Sequence, residues 1–177
     1  SWGSTVSCSA WICQDLWDHF LFTNDRDFLA RVYPIMRDSA LFYLDMLIEE
    51  PQHGWLVTAP SNSPENAFLL PDGTPAHVCL GPTADMQLLR YLFSACITAS
   101  QLLDVDADLR AELTAKRARL APTRIGHDGR VMEWLEEYPE ADPHHRHVAH
   151  LWGLYPGNDI DPRTTPDLAA AARKSLE

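Results

Sequence analysis

Thr83-Ala-Asp-Met-Gln-Leu-Leu-Arg-Tyr-Leu-Phe-Ser-Ala-Cys-Ile-Thr-Ala-Ser-Gln-Leu-Leu103 is the stretch that decides the fold class. Met86, Leu89, Leu92, Phe93, Cys96, Ile97 and Leu103 recur at steps of three and four, which lays a broad apolar stripe along one side of a helix. Thr83 reads as its cap, and Asp85 falls in the first turn, where the helix dipole favours an anion. Outward from this stretch the same rhythm returns. Asp106 reads as the cap of a following helix that carries Leu109 and Leu113. Upstream, residues 10–22 place Trp11, Ile12, Leu16, Phe20 and Leu21 at helical spacing. Asn24 then reads as an N-cap, with Asp25 and Asp27 in the first turn. Phe28, Leu29, Val32, Ile35, Met36, Phe42, Tyr43, Met46 and Leu47 continue the pattern until Pro51 and Gly54 end it. Pro34 implies either a kink or the first turn of a new helix. Downstream, 126–129 reads as a turn and 131–138 as a short amphipathic piece. Thr165 followed by Pro166 opens a final Ala-rich helix. The expectation is about six helices, one short strand near 55–58, and an all-α fold of antiparallel helical hairpins packed in layers. No repeat recurs at a period of about 34 or 40 residues, which disfavours the common helical arrays.

The bulk properties agree. The chain has 177 residues, 46% hydrophobic and 22% charged, values of a globular domain and not of a disordered one. Its formal net charge of −11 gives no general attraction for phosphate backbones, so nucleic acid is not an expected partner. No apolar run approaches the roughly 18 residues of a membrane span. Cys8, Cys13, Cys79 and Cys96 form no CxxC pair, and Cys13 and Cys96 sit in apolar helical patterns as expected buried thiols. Ser1-Trp2-Gly3 begins without an opening signal and 168–177 is a helix still running, so the chain is expected to be a piece of a longer protein. Its compartment is not readable from the sequence.

Two polar loops hold the candidate chemistry. Six prolines fall between residues 51 and 82, yet Trp55, Phe68, Leu69 and Leu70 argue for an ordered segment with a function. Within it, Ala59-Pro-Ser-Asn-Ser-Pro-Glu-Asn66 presents one carboxyl, Glu65, behind two prolines and beside Ser and Asn66 donors. A stiff loop with a lone carboxyl suits a general acid, and an apolar wall from Trp55 or Phe68 would raise its pKa. A surface turn carboxylate fits the spacing as well. The second loop, Asp142-Pro-His-His-Arg-His-Val-Ala-His150, packs four of the eight histidines into seven positions. Three readings stand: a metal site, if His147 and His150 lie one helical turn apart; a hydrogen-bonding site for a sugar or anion built on Arg146 and neutral rings; or buried histidines that satisfy loop carbonyls. No HExxH and no cysteine partner accompany them, and neither a GxSxG elbow around Ser61 or Ser63 nor a Gly-rich phosphate loop is present. Of the tryptophans at 2, 11, 17, 55, 134 and 152, Trp11 and Trp17 belong by pattern to the core. Trp55, Trp134 and Trp152 flank the polar loops as stacking candidates for a sugar. Glu133, with Glu136 and Glu137, reads as a solvated face or as a second carboxylate.

Together, Ala10-Trp-Ile-Cys-Gln-Asp-Leu-Trp-Asp-His-Phe20, Phe22-Thr-Asn-Asp-Arg-Asp-Phe-Leu29, Pro60-Ser-Asn-Ser-Pro-Glu-Asn66, Gly81-Pro-Thr-Ala-Asp85 and His145-Arg-His-Val-Ala-His-Leu-Trp-Gly-Leu-Tyr-Pro-Gly157 resemble glycoside hydrolase family 95 in order and spacing. The resemblance implies an (α/α)6 toroid, with residues 1–177 as a single fragment from its middle. It implies an inverting exo-glycosidase, an α-L-fucosidase acting chiefly on terminal α-1,2-linked fucose of oligosaccharides, with related α-L-galactosides as the substrate of some members. Glu65 matches the general acid, and Arg146 and His147 match the sugar-binding subsite. Asn66 and Trp55 are the further substrate-binding candidates. No metal or other cofactor is implied, and the partners are a fucosylated oligosaccharide and the remainder of the catalytic domain. The family's asparagine pair and its activating aspartate match no segment of this chain. Asp15 stands where the pattern often has His, and Ala149 where it often has Ser, departures that bear on substrate preference. Family members are often secreted or periplasmic. The rival readings are another helical-toroid glycosidase or a polysaccharide lyase, a non-catalytic carbohydrate-binding helical module, and a metal-dependent hydrolase built on 144–150.

Overall fold

A computed structural model describes residues 6–177. Two helices, α1 (Cys8–Thr23) and α2 (Arg26–Met46), form the first hairpin. The Ser9 hydroxyl at the start of α1 lies 2.9 Å from the Tyr43 hydroxyl near the end of α2, so the pair is antiparallel. The turn between them divides its polar residues differently from the expectation. Asn24 ends α1 in a left-handed backbone (φ 53°), and its N–H bonds the Phe20 carbonyl. Asp25 is the N-cap of α2, accepting the Phe28 N–H at 2.9 Å. A two-residue reversal needs one positive φ, which Asn tolerates better than Asp, and the cap passes to the next residue. Pro34 sits inside α2 without ending it, because the carbonyl it leaves free, on Ala30, is at the exposed surface.

Two short antiparallel pairs follow: β1 (Leu47–Glu49) with β2 (Leu56–Thr58), and β3 (Phe68–Leu69) with β4 (Pro75–Ala76). The peptide bonds Ala59-Pro60, Pro64-Glu65 and Tyr155-Pro156 are cis. The second hairpin is α3 (Thr83–Leu103) with α4 (Ala107–Ala118). Arg117, late in α4, reaches Ser94 Oγ of α3 at 2.6 Å. Pro82 flanks α3, and Thr83 is its first helical residue; its hydroxyl bonds the Met132 carbonyl at 2.6 Å and so ties the helix start to a distant loop. Asp106 flanks α4, but its carboxylate accepts from the Tyr33 hydroxyl of α2 at 2.9 Å. Residues 131–138 are not helical. A 3-10 turn (Ala149–Leu151) and a last helix, α5 (Pro166–Leu176), complete the chain.

α3 is central: it packs against α1, α2 and α4. Its Leu88, Leu89, Leu92, Phe93 and Cys96 are buried with Leu29, Met36 and Tyr43 of α2 and Cys13 and Trp17 of α1. A smaller cluster joins Val131, Leu151 and Ile160 to Ala171 and Ala172 of α5. The fold is all-α hairpins with long loops, and both loops that carry the candidate site rest on the start of α3. No helix among the described residues is long and apolar enough to cross a membrane.

Candidate active site

The loop before α3 is fastened by two buried carboxylates. Asp85, in the first turn of α3, accepts from Thr58 Oγ1 at 2.7 Å and from Ser61 Oγ at 2.6 Å. Burial pushes its carboxyl up, against the opposing effect of those hydroxyls. Glu133 accepts from Ser63 Oγ at 2.7 Å and from Asn66 Nδ2 at 2.9 Å, and His150 Nδ1 stands 3.5 Å from it. Burial raises the Glu133 carboxyl too, but the His150 ring, Ser63 and Asn66 outweigh it and hold the group below the ordinary carboxylate range. Glu133 is therefore not part of a solvated face. Spacing could not show this, because the segment around it is irregular and follows no helical period.

Glu65 projects from this anchored loop, half-buried, and meets residues more than 80 positions downstream. Arg146 Nη2 donates to Glu65 Oε2, and His147 Nε2 lies 2.8 Å from the same oxygen. Arg146 Nε also lies 3.1 Å from His147 Nε2. The His147 ring, against some desolvation, and the Arg146 guanidinium hold the Glu65 carboxyl below its ordinary range. Neither Trp55 nor Phe68 supplies the expected apolar wall. Phe68 stacks on Tyr138, with ring centroids 4.2 Å apart, and Trp55 stacks on His53 at 4.0 Å with the Arg124 guanidinium over it. The His147 and Arg146 contacts thus reverse the expected direction of its shift.

A cavity of about 520 Å³ opens beside Glu65 and His147, walled by Trp11, Trp152, Tyr155 and Leu176. Trp11, assigned by pattern to the core, is 48% exposed on the outer side of α1 and faces this cavity. Trp17 is in the core as expected, Trp134 and Trp152 are buried, and Trp2 lies outside the described residues. Of the remaining candidates, Trp55 is packed against the main core and does not line the cavity. Asn66 is buried, with its amide committed to Glu133 and to the Ala67 N–H, so it supports the loop from beneath. His147 and His150 do not converge, because 144–148 is not helical: one ring turns to Glu65 and the other to Glu133. Asp15 is exposed, and Ala149 lines the cavity.

Residues 1–177 match the family described as the Glycosyl hydrolase family 95 catalytic domain. The chain belongs to glycosyl hydrolase family 95. This family 95 chain is 38% identical over 178 residues to a protein named alpha-L-fucosidase 2 from Arabidopsis thaliana, covering 99% of the chain and 21% of that protein. It is 33% identical over 163 residues to probable alpha-fucosidase A from Aspergillus niger, covering 88% of the chain and 20% of that protein. The chain thus spans about a fifth of the length of these relatives.

Proposed function

We propose that this segment carries the acid side of the active site of an inverting α-L-fucosidase that removes terminal, chiefly α-1,2-linked, fucose from oligosaccharides. The meeting of Glu65 with Arg146 and His147, with Glu65 and His147 lining the cavity, supports this reading. In it, Glu65 protonates the departing glycosidic oxygen, and Arg146 and His147 hold the sugar. Both protonation states of Glu65 have a partner. Ionised, it accepts from Arg146 and from an N–H at His147 Nε2. Protonated, it donates to the bare Nε2 of His147. A glycosidic oxygen entering between the carboxyl and these two side chains removes the contacts that keep the group ionised, and desolvation then favours the acid form. Inversion also needs a water and its base on the opposite face of the sugar, roughly 6.5–9.5 Å away from the acid. We assign that half to the remainder of the catalytic toroid, of which residues 1–177 are a middle portion.

The test uses the parent enzyme. Glu65→Gln should lower fucose release from an α-1,2-fucosyl oligosaccharide by about 10²–10⁴-fold, the range of a lost general acid. α-L-Fucosyl fluoride, whose leaving group needs little protonation, should suffer less. Proton NMR of the first product should show β-L-fucose. A parent that releases no fucose, or a Glu65→Gln variant with full turnover, overturns the reading. The 177-residue chain alone should release none.

A further inference from the structure

Glu133 touches both halves of the site without lining the cavity beside Glu65. Its Oε1 accepts from Ser63 Oγ at 2.7 Å and its Oε2 from Asn66 Nδ2 at 2.9 Å, the residues two before and one after Glu65. His150, three residues beyond His147, stands 3.5 Å from Oε2. The main chain of Glu133 is fixed in turn, since its carbonyl accepts the Thr83 N–H at 3.0 Å at the start of α3. The residue is only 9% exposed. A buried carboxylate without partners is costly, and here Ser63 and Asn66 supply its hydrogen bonds while His150, from the other segment, stands at ion-pair distance. A shift of 63–66 would take both hydrogen bonds from the charge, and a shift of His150 would take away its facing ring. Asp85 anchors the same loop through Ser61 and Thr58, upstream of Pro64.

We infer that Glu133 is a positioning residue: it clamps 63–66 and His150 in the register that sets Glu65 against Arg146 and His147. The inference rests on the reading of Glu65 as the acid. A misplacement of about 1 Å at a reacting group can cost on the order of 100-fold in rate. The loss should fall on protonation of the leaving group, because it is the carboxyl of Glu65 that moves.

The parent enzyme, Glu65→Gln and Glu133→Gln are compared on an α-1,2-fucosyl oligosaccharide and on α-L-fucosyl fluoride. Glu133→Gln keeps the shape and removes the charge. It should lower kcat on the oligosaccharide roughly 10- to 100-fold, with KM within about threefold, and lower kcat on the fluoride by less than about threefold. If Glu133→Gln does not fold, Ser63→Ala removes one arm of the clamp and should show the same split at roughly three- to tenfold. Equal losses on both substrates, or no loss on either, overturn the inference and leave the Glu65 reading intact, because Glu65→Gln reports on that reading separately. A parent indifferent to Glu65→Gln overturns both.

Discussion

At the scale of single residues, the two buried carboxylates that hold the candidate loop differ in sign. Glu133 has a ring nitrogen of His150 and two donors around it, so its carboxyl is held below the ordinary range. A carboxyl lowered on folding contributes stability that is full above its unfolded value, about 4.3 for Glu, and is lost as pH falls through the folded value. Asp85 has hydroxyl partners, and burial outweighs them. Its contribution is full below about 3.9 and is lost as pH rises through its folded value. Two variants of the parent enzyme should therefore show opposite trends. Relative to the wild type, the melting-temperature deficit of Glu133→Gln should shrink as pH is taken from 7 to below 4. The deficit of Asp85→Asn should grow over the same range. Thermal unfolding at a series of pH values measures both, and parallel trends would contradict the assignment.

Among the elements, the turn between α1 and α2 shows how neighbouring polar residues share work. Asn24 accepts the positive φ and Asp25 supplies the capping oxygen. Asp25→Ala should cost about 1 kcal/mol in chemical denaturation, the usual loss of an N-cap. Asn24→Gly should change stability by only a few tenths of a kcal/mol, because glycine takes the left-handed conformation freely. Equal losses would mean that Asn24 is the cap. The elements also explain the placement of the site. α3 is buried along most of its length, and its first turn carries Asp85, which holds Ser61, and Thr83, which holds Met132 and Glu133. One rigid helix start therefore sets the position of two loops that have little regular structure of their own.

For the whole molecule, the distribution of apolar surface matters most. Ile12, Leu21, Phe22, Ile35 and Phe42 on the first hairpin are between 52% and 91% exposed. Patches of this kind on a globular chain mark surfaces that something else covers. The chain spans about a fifth of the length of the relatives it matches, and we propose that the remainder of the parent covers these faces. The isolated 177-residue chain should accordingly bind a hydrophobic fluorescent dye and associate at micromolar concentration, whereas the parent enzyme should do neither. Dye fluorescence and sedimentation measure this, and a monodisperse, dye-silent chain would show that the exposed faces need no cover.

The all-α class and the positions of the α-helices were legible in the sequence, which pointed to about six helices against the five α-helices found among the described residues, because helical periodicity is a local signal written by each segment for itself. The polar loops were legible as chemistry as well: a carboxyl behind Pro64 and a histidine-arginine run are compositional facts of 59–66 and 142–150. Tertiary structure alone decided what those loops do to one another. The charge state of Glu65 depends on Arg146 and His147, side chains more than 80 residues away, and no pattern near Pro64 announces them. The burial of Glu133 depends on donors 67 and 70 residues before it in the chain, and the placement of Trp11 at the cavity depends on which side of α1 meets α3. Electrostatics and burial act through space, and only the packed fold specifies distances across it.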